Sequence, residues 1–156
     1  MYQRILVPVD GSAPSAKGLD EAIAIAKMTG GQVRVLHVID EPFLALGVDG
    51  FSGSPGDIIE LMQENGRRIV GDAVAKVRAQ GVACDSALAD NMHGRVCDLV
   101  TAAAVSWNAG LIVIGTHGRR GAARMLLGSD AEQILRTAPV PVLLVRFDTE
   151  AANGPR

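Results

Sequence analysis

Leu111-Ile112-Val113-Ile114-Gly115-Thr116-His117-Gly118, nine further residues, then Gly128-Ser129-Asp130-Ala131-Glu132-Gln133-Ile134-Leu135 form the stretch on which the fold turns. The apolar run Leu111–Ile114 has the length and composition of a buried strand. Glycines break it at once. The segment from Ser129 carries helix-type spacing, so the pattern predicts a strand, a glycine-marked loop, and a helix starting at Ser129. Glycine lets a backbone adopt positive φ and approach a ligand closely. A helix N-terminus offers unpaired N–H groups and partial positive charge to an anion. Together these predict a phosphate cradle.

The same grammar repeats outward in both directions. Ile5 to Val9 is a short apolar run closed by Asp10-Gly11-Ser12. A helix is predicted next, with Pro14 in its first turn and Leu19, Ala22, Ile23 and Ala26 on one face, ended by Gly30-Gly31. Val33 to Ile39 reads as a second strand. Residues 40–56 hold Pro42, Gly47, Gly50, Gly53, Pro55 and Gly56, which predicts a flexible loop. A long helix is expected from about Asp57 to Gln80, a weaker strand over Val82–Ala89, and a helix marked by Val96, Leu99, Val100, Ala103 and Trp107. Pro139-Val140-Pro141-Val142-Leu143-Leu144-Val145 closes the pattern. The tail from Asp148 to Arg156 is expected to be disordered. Strands alternating with helices imply right-handed crossovers and a parallel sheet covered on both faces. Ligands of such sheets sit beyond the carboxyl ends of strands, where strand order reverses.

Composition narrows the function classes. A chain of 156 residues is expected to form one domain, over 1–147, with a real core. Aromatics are only 3% of residues, so Val, Ile, Leu and Ala must fill that core. A net charge of −2 argues against general binding to nucleic acid or anionic membrane. No apolar stretch approaches the roughly 20 residues of a membrane span. The N-terminus enters a strand directly, so no secretory signal is expected and the expected location is cytoplasmic. Cys84 and Cys97 have no metal or redox spacing and read as reduced thiols. No G-x4-G-K-[ST] occurs, which removes the P-loop NTPases. The loop reads G-x2-G-x2-G after the fourth strand, not G-x-G-x2-G after the first, so a dinucleotide Rossmann site fails. No G-x-S-x-G elbow occurs.

The spacing Gly115-x2-Gly118-x9-Gly128-Ser129 resembles the nucleotide-binding signature of the universal stress protein family. Arg4-Ile5-Leu6-Val7-Pro8-Val9-Asp10-Gly11-Ser12 resembles that family's first strand and acidic turn. Val35-Leu36-His37-Val38 resembles its second strand, and Pro139–Val145 its closing strand. The resemblance implies an open parallel five-stranded sheet in order 3-2-1-4-5 with helices on both faces. This is a Rossmann-like arrangement of the adenine nucleotide alpha hydrolase type. It also implies a stress-response role and a homodimer formed by antiparallel pairing of Val140–Val145 strands. Pro141 lacks a ladder donor, which independently favours an edge or a strand start.

Each candidate site residue carries two readings. Asp10 could cap the following helix or hydrogen-bond a ribose hydroxyl or adenine; the resemblance assigns it to the nucleoside. Val38 is a core strand residue whose backbone the resemblance gives to adenine. Pro8 and Val9 could add apolar surface near the base. Ser129-Asp130-Ala131-Glu132 has the form of a capping box, and the Ser129 hydroxyl could equally serve a phosphate. Gly115, Thr116, Gly118 and Gly128 would let the loop pass close to phosphates. Arg119, Arg120 and Arg124 would be solvated, or one would clamp an anion. His117 has no nominated nucleophile and reads as a hydrogen-bonding loop residue. His37 reads as buried in its strand, and His93 lies in a turn without metal partners.

The expected function is binding of an adenine nucleotide, ATP or AMP/ADP, with Mg²⁺ accompanying ATP. Occupancy would alter conformation or partner choice. No catalytic or metal-ligand set is complete, so at most slow ATP hydrolysis is expected. The alternatives are a phosphohydrolase or nucleotidyl-transfer enzyme using Asp10 and His117, and a dimeric scaffold without nucleotide. Asp130 departs from the resembled pattern, which commonly has an apolar or small residue after Gly-Ser. A carboxylate there would repel a triphosphate.

Overall fold

A computed structural model describes residues 1–40, 54–91, 94–116 and 127–147. The elements are β1 (Arg4–Pro8), α1 (Ala13–Thr29), β2 (Gln32–Asp40), α2 (Pro55–Ala79), β3 (Ala83–Asn91), α3 (Val96–Ser106), β4 (Leu111–Gly115), α4 (Ser129–Thr137) and β5 (Val142–Val145). The strands form one parallel sheet in the order β3-β2-β1-β4-β5. The expected architecture and strand order are therefore present. Most of the predicted loop at 40–56, His93, and the predicted tail at 148–156 lie outside the described residues.

Side-chain alternation divides the core into two layers. Ile5, Val7, Val9, Val33, Val35, Leu111 and Val113 face α1 and α2. Leu6, Leu36, Ile112 and Ile114 face α3 and α4. Both faces of β1 and β4 are thus buried, which is why those strands read as continuous apolar runs. Burying one such side chain contributes about 1.5–3 kcal/mol. The third strand reads as weak in sequence because its own residues are small and polar. Its nine residues nevertheless pair in register with β2 from Gln32↔Ala83 to Asp40↔Asn91.

Local signals explain the helix ends. Ser12 caps α1, accepting a hydrogen bond from the Ser15 N–H at 3.3 Å, with Pro14 in the first turn. Ser54 and Asp57 form a reciprocal capping box on α2. At the amino end of the sheet, Trp107 follows α3 and packs beneath two cations. The Arg34 guanidinium lies 4.7 Å from the ring centre, and Arg4 lies 5.8 Å away. Arg34 also forks onto Asp85 with two bonds of 2.6 Å, which holds its guanidinium even more firmly charged. This cluster ties β1, β2, β3 and α3 together at the end opposite the candidate crevice.

Candidate functional site

Strands β1 and β4 are hydrogen-bonded neighbours, with Ile5 beside Leu111 and Leu6 beside Ile112. The chain leaves β1 toward β2 and leaves β4 toward β5, in opposite directions across the sheet. Strand order reverses between them, and the region beyond their carboxyl ends is where open parallel sheets place a ligand crevice. Pro8 is the half-buried last residue of β1, and Val9 follows, buried, donating its N–H to the Leu36 carbonyl at 2.8 Å. Asp10 comes next, where the ladder has ended.

Asp10 does not cap α1. Its Oδ1 accepts the Ser12 N–H at 2.9 Å, the bond of an Asx turn, and Ser12 is the cap. Gly11 takes φ +78°, so the turn needs a residue without a Cβ there. The Asp10 N–H reaches the Ser15 hydroxyl at 3.4 Å, and that hydroxyl donates to the Ser12 carbonyl at 3.0 Å. The carboxylate is held beside the opening of the crevice by three consecutive turn interactions.

Gly115 ends β4 directly against the first turn of α1. A Cβ built on Gly115 would lie 2.5 Å from the Pro14 carbonyl carbon and closer still to its oxygen. The glycine is required by helix packing before any ligand is considered. Gly18, one turn further along α1, completes the approach: its own Cβ would lie 3.1 Å from the Gly115 nitrogen. Gly18 was not singled out in the sequence. A glycine inside a helical pattern costs about 1 kcal/mol relative to alanine, and that penalty was the available signal.

Thr116 anchors both ends of the loop. Its N–H donates to the Val145 carbonyl at 3.0 Å, and its carbonyl accepts the Gly128 N–H at 2.9 Å. Residues 116 and 128 therefore meet, and the start of α4 is drawn to the end of β4. His117, Gly118 and Arg119, like Arg120 and Arg124, lie outside the described residues.

The helix starts at Ser129 as expected, but its cap differs from the expectation. Gly128 is the N-cap of α4, and its carbonyl accepts the Glu132 N–H at 2.9 Å. Ser129 is the first helical residue, exposed, and not the cap. Glu132 pairs with Arg136 at 2.9 Å, one turn on, so the reciprocal capping box does not form. The reason is tertiary: the Thr116–Gly128 bond fixes where the helix begins. A glycine cap has no side chain to spend on the leading N–H groups of the helix. Asp130 sits half-buried in that first turn.

Val38 lies in β2 beside Ala89, its side chain half-buried against the α3–α4 layer. His37 is buried, as expected, and packs on the opposite face. Cys97 is buried in the first turn of α3, its Sγ 3.3 Å from the Gln133 amide oxygen. Burial, and then the neighbouring Asp98 carboxylate, push its thiol pKa up. Burial does the same to Cys84. Neither thiol is poised as a nucleophile. Among the described residues no cluster of His, Cys, Asp or Glu could hold a metal, and no helix is long and apolar enough to cross a membrane.

Comparison with known proteins places this geometry. The profile of the universal stress protein family matches residues 1–146. Universal stress protein MJ0531 of Methanocaldococcus jannaschii is 33% identical over 147 residues, covering 94% of this chain and 83% of that protein. A universal stress protein family structure from Burkholderia pseudomallei superposes with a TM-score of 0.72 at 31% identity, covering 92% of this chain and 96% of that one. Two more distant structures share the fold. One is an Arabidopsis thaliana family protein with AMP bound (TM-score 0.69, 16% identity, 96% and 94% covered). The other is the Archaeoglobus fulgidus universal stress protein in complex with dAMP (TM-score 0.62, 24% identity, 92% and 97% covered).

Proposed function

This chain belongs to the universal stress protein family, and from that premise we propose that it binds an adenine nucleotide in the crevice between β1 and β4. The observation that carries the reading is the Thr116–Gly128 hydrogen bond at 2.9 Å. It sets a helix start without a side-chain cap beside the end of β4, at the reversal of strand order. Those N–H groups suit a phosphate. The AMP and dAMP complexes of the Arabidopsis and Archaeoglobus proteins support the ligand class.

The roles are those the family resemblance implies for these positions. Asp10 accepts from a ribose hydroxyl while keeping its Asx turn. The backbone of Val38 serves the adenine edge, which needs no particular side chain, and Pro8 and Val9 add apolar surface. Gly115, Thr116, Gly128 and Ser129 line the phosphate path, and the family resemblance adds His117, Gly118 and Arg119 to the phosphate contacts. ATP would bring Mg²⁺ held chiefly by its own phosphates. Occupancy would then bias conformation or partner choice. Titration of AMP, ADP and ATP into the purified protein tests this: saturable binding, a raised melting temperature and little turnover are expected. Turnover well above background would favour a hydrolase instead, and no binding would favour a scaffold.

Asp130 is expected to set the preference among nucleotides. Its carboxylate is favourable at the positive end of α4 but faces any added phosphate charge. Two unit charges about 4 Å apart interact by about 4 kcal/mol at an effective dielectric of about 20. Repulsion of about 1.4 kcal/mol weakens binding tenfold. Asp130→Val should therefore raise ATP affinity about tenfold relative to AMP, with Mg²⁺ narrowing the difference. Calorimetry with and without Mg²⁺ checks it; an unchanged ATP-to-AMP ratio under both conditions refutes it.

We also propose a homodimer through β5. This strand forms one border of the sheet, and Leu143 is exposed on it. Pro141 lies just before it and spends only its carbonyl, which accepts the Ile112 N–H at 3.0 Å. An open apolar edge tends to pair with another chain, and a two-fold axis would make the pair antiparallel. Light scattering at micromolar concentration should give twice the chain mass. A clean monomer mass rules the dimer out.

A further inference from the structure

His37 is buried in β2, and its Nδ1 lies 2.7 Å from the carbonyl oxygen of Val9, 28 residues earlier in the chain. A carbonyl can only accept, so Nδ1 carries the proton. The bond falls where backbone pairing stops dictating direction, because β1 has ended at Pro8. The Val9 N–H is already held by Leu36, and the Asp10 N–H by Ser15. The ring holds the carbonyl side of the peptide plane between Val9 and Asp10 with a bond of 2.7 Å, while the Ser15 hydroxyl holds its N–H side only at 3.4 Å. That plane aims the Asp10 carboxylate.

The ring is itself held in place by a missing side chain. Gly66 of α2 lies over it, and a Cβ there would come within 3.0 Å of His37 Cδ2 and 3.5 Å of Nε2. The other contact of that Cβ would be the end of the Leu88 side chain, also at 3.0 Å. Gly66 in a helix interior gives up about 1 kcal/mol of helix propensity relative to alanine. The space it leaves is filled by the histidine ring. Helix α2 is thus linked to Val9 through the His37 ring.

We infer that His37 is a positioning residue for the nucleotide: clamped by Gly66, it holds the Val9 carbonyl and so orients Asp10 toward an adenosine 5′-phosphate. This rests on the nucleotide-binding reading above. Without the ring, the Val9–Asp10 peptide keeps only the long Ser15 bond on its N–H side and samples a wider range of tilts. Apparent affinity then falls in proportion to the fraction of time the carboxylate is correctly aimed.

The test uses AMP as probe. His37→Leu keeps an apolar side chain in the core and is expected to weaken AMP binding about tenfold. His37→Asn returns an N–H donor near the place of Nδ1 and is expected to recover affinity to within about threefold of the parent. A purely structural role would not show that rescue at equal melting temperature. Gly66→Ala keeps the histidine but displaces its ring, so it should weaken AMP binding about threefold in the parent and not at all in the His37→Leu background. Because alanine favours the helix, this variant reads out even if His37→Leu fails to fold. In nitrogen-detected NMR, the His37 ring signals should report the Nδ1–H form and shift on AMP saturation. If the parent binds AMP and His37→Leu and Gly66→Ala bind it equally well, the inference is overturned while nucleotide binding stands. Equal weakening by Leu and Asn also overturns it. If the parent binds no nucleotide, both the function and this role fall together.

Discussion

Gly115→Ala is expected to lower the unfolding free energy by about 3 kcal/mol, the upper end of the usual range for overpacking. The added Cβ would lie 2.5 Å from the carbonyl carbon of Pro14, inside any tolerable contact. A flexible side chain could swing aside. A carbonyl in the first turn of α1 cannot, because that turn is fixed by the Ser12 cap and the Asp10 Asx turn. Relief requires moving the helix off the sheet and losing burial of Leu19 and Ala22, both in the core. In a chain of this size the melting temperature should fall by about 6–12 °C. Trp107, the single tryptophan, is buried at the far end of the sheet and reports global unfolding. Gly18→Ala provides the contrast. Its Cβ would meet the Gly115 nitrogen at 3.1 Å, a squeeze that the helix-propensity gain of about 1 kcal/mol offsets. It should melt close to the parent. Should Gly115→Ala melt within about 2 °C of the parent, the close approach of α1 to β4 is wrong.

Removal of the Asp10 carboxylate is expected to have the largest effect on binding. Asp10→Ala deletes the acceptor of the Ser12 N–H at 2.9 Å and the proposed acceptor of the ribose hydroxyl. A hydrogen bond to a charged group is worth about 1.5–3 kcal/mol, so AMP affinity should fall by about 10- to 150-fold. Asp10→Asn separates the two roles. Its amide oxygen still serves the Asx turn, so stability should stay near the parent. The lost charge weakens the ribose contact, and affinity should drop about tenfold. Calorimetry and thermal melting on the three proteins decide it. An Asp10→Ala protein that is folded and binds AMP within about threefold of the parent removes Asp10 from the site.

Together the variants separate two demands that meet on one segment. Gly115 lies in the stretch that resembles the family's nucleotide signature, yet its contact with Pro14 is a packing requirement present without ligand. A loss of binding in Gly115→Ala would follow from displacement of α1. It would not by itself show that phosphate lies against residue 115. Asp10→Asn carries no such ambiguity, since it alters charge with little change in shape.

The sequence by itself determined the order of elements, because burial on both faces leaves a local trace. Ile5–Val9 and Leu111–Ile114 are continuous apolar runs, α1 shows its apolar face at helical spacing, and glycines mark the turns. It also marked the strand ends, where those runs stop, while the neighbouring of β1 and β4 came only from the family resemblance and is present in the sheet. Only the tertiary structure decided which residue performs which task there. The Ser129–Glu132 capping box satisfies every local rule, yet α4 begins from Gly128, because the bond from its N–H to Thr116 crosses a loop that no local rule describes. Asp10 likewise yields the cap of α1 to Ser12 and becomes the acceptor of the turn before it. The histidine on Val9 joins residues 28 apart, and the glycine that admits its ring comes from a third element. β3 shows a weak pattern because its nine residues are held largely by backbone pairing with β2, which small and polar side chains do not reveal. Apolar periodicity is written along the chain because each element must bury one face. Hydrogen-bond partners and the closeness of two backbones depend on where the elements meet, and that is fixed only when the layers close.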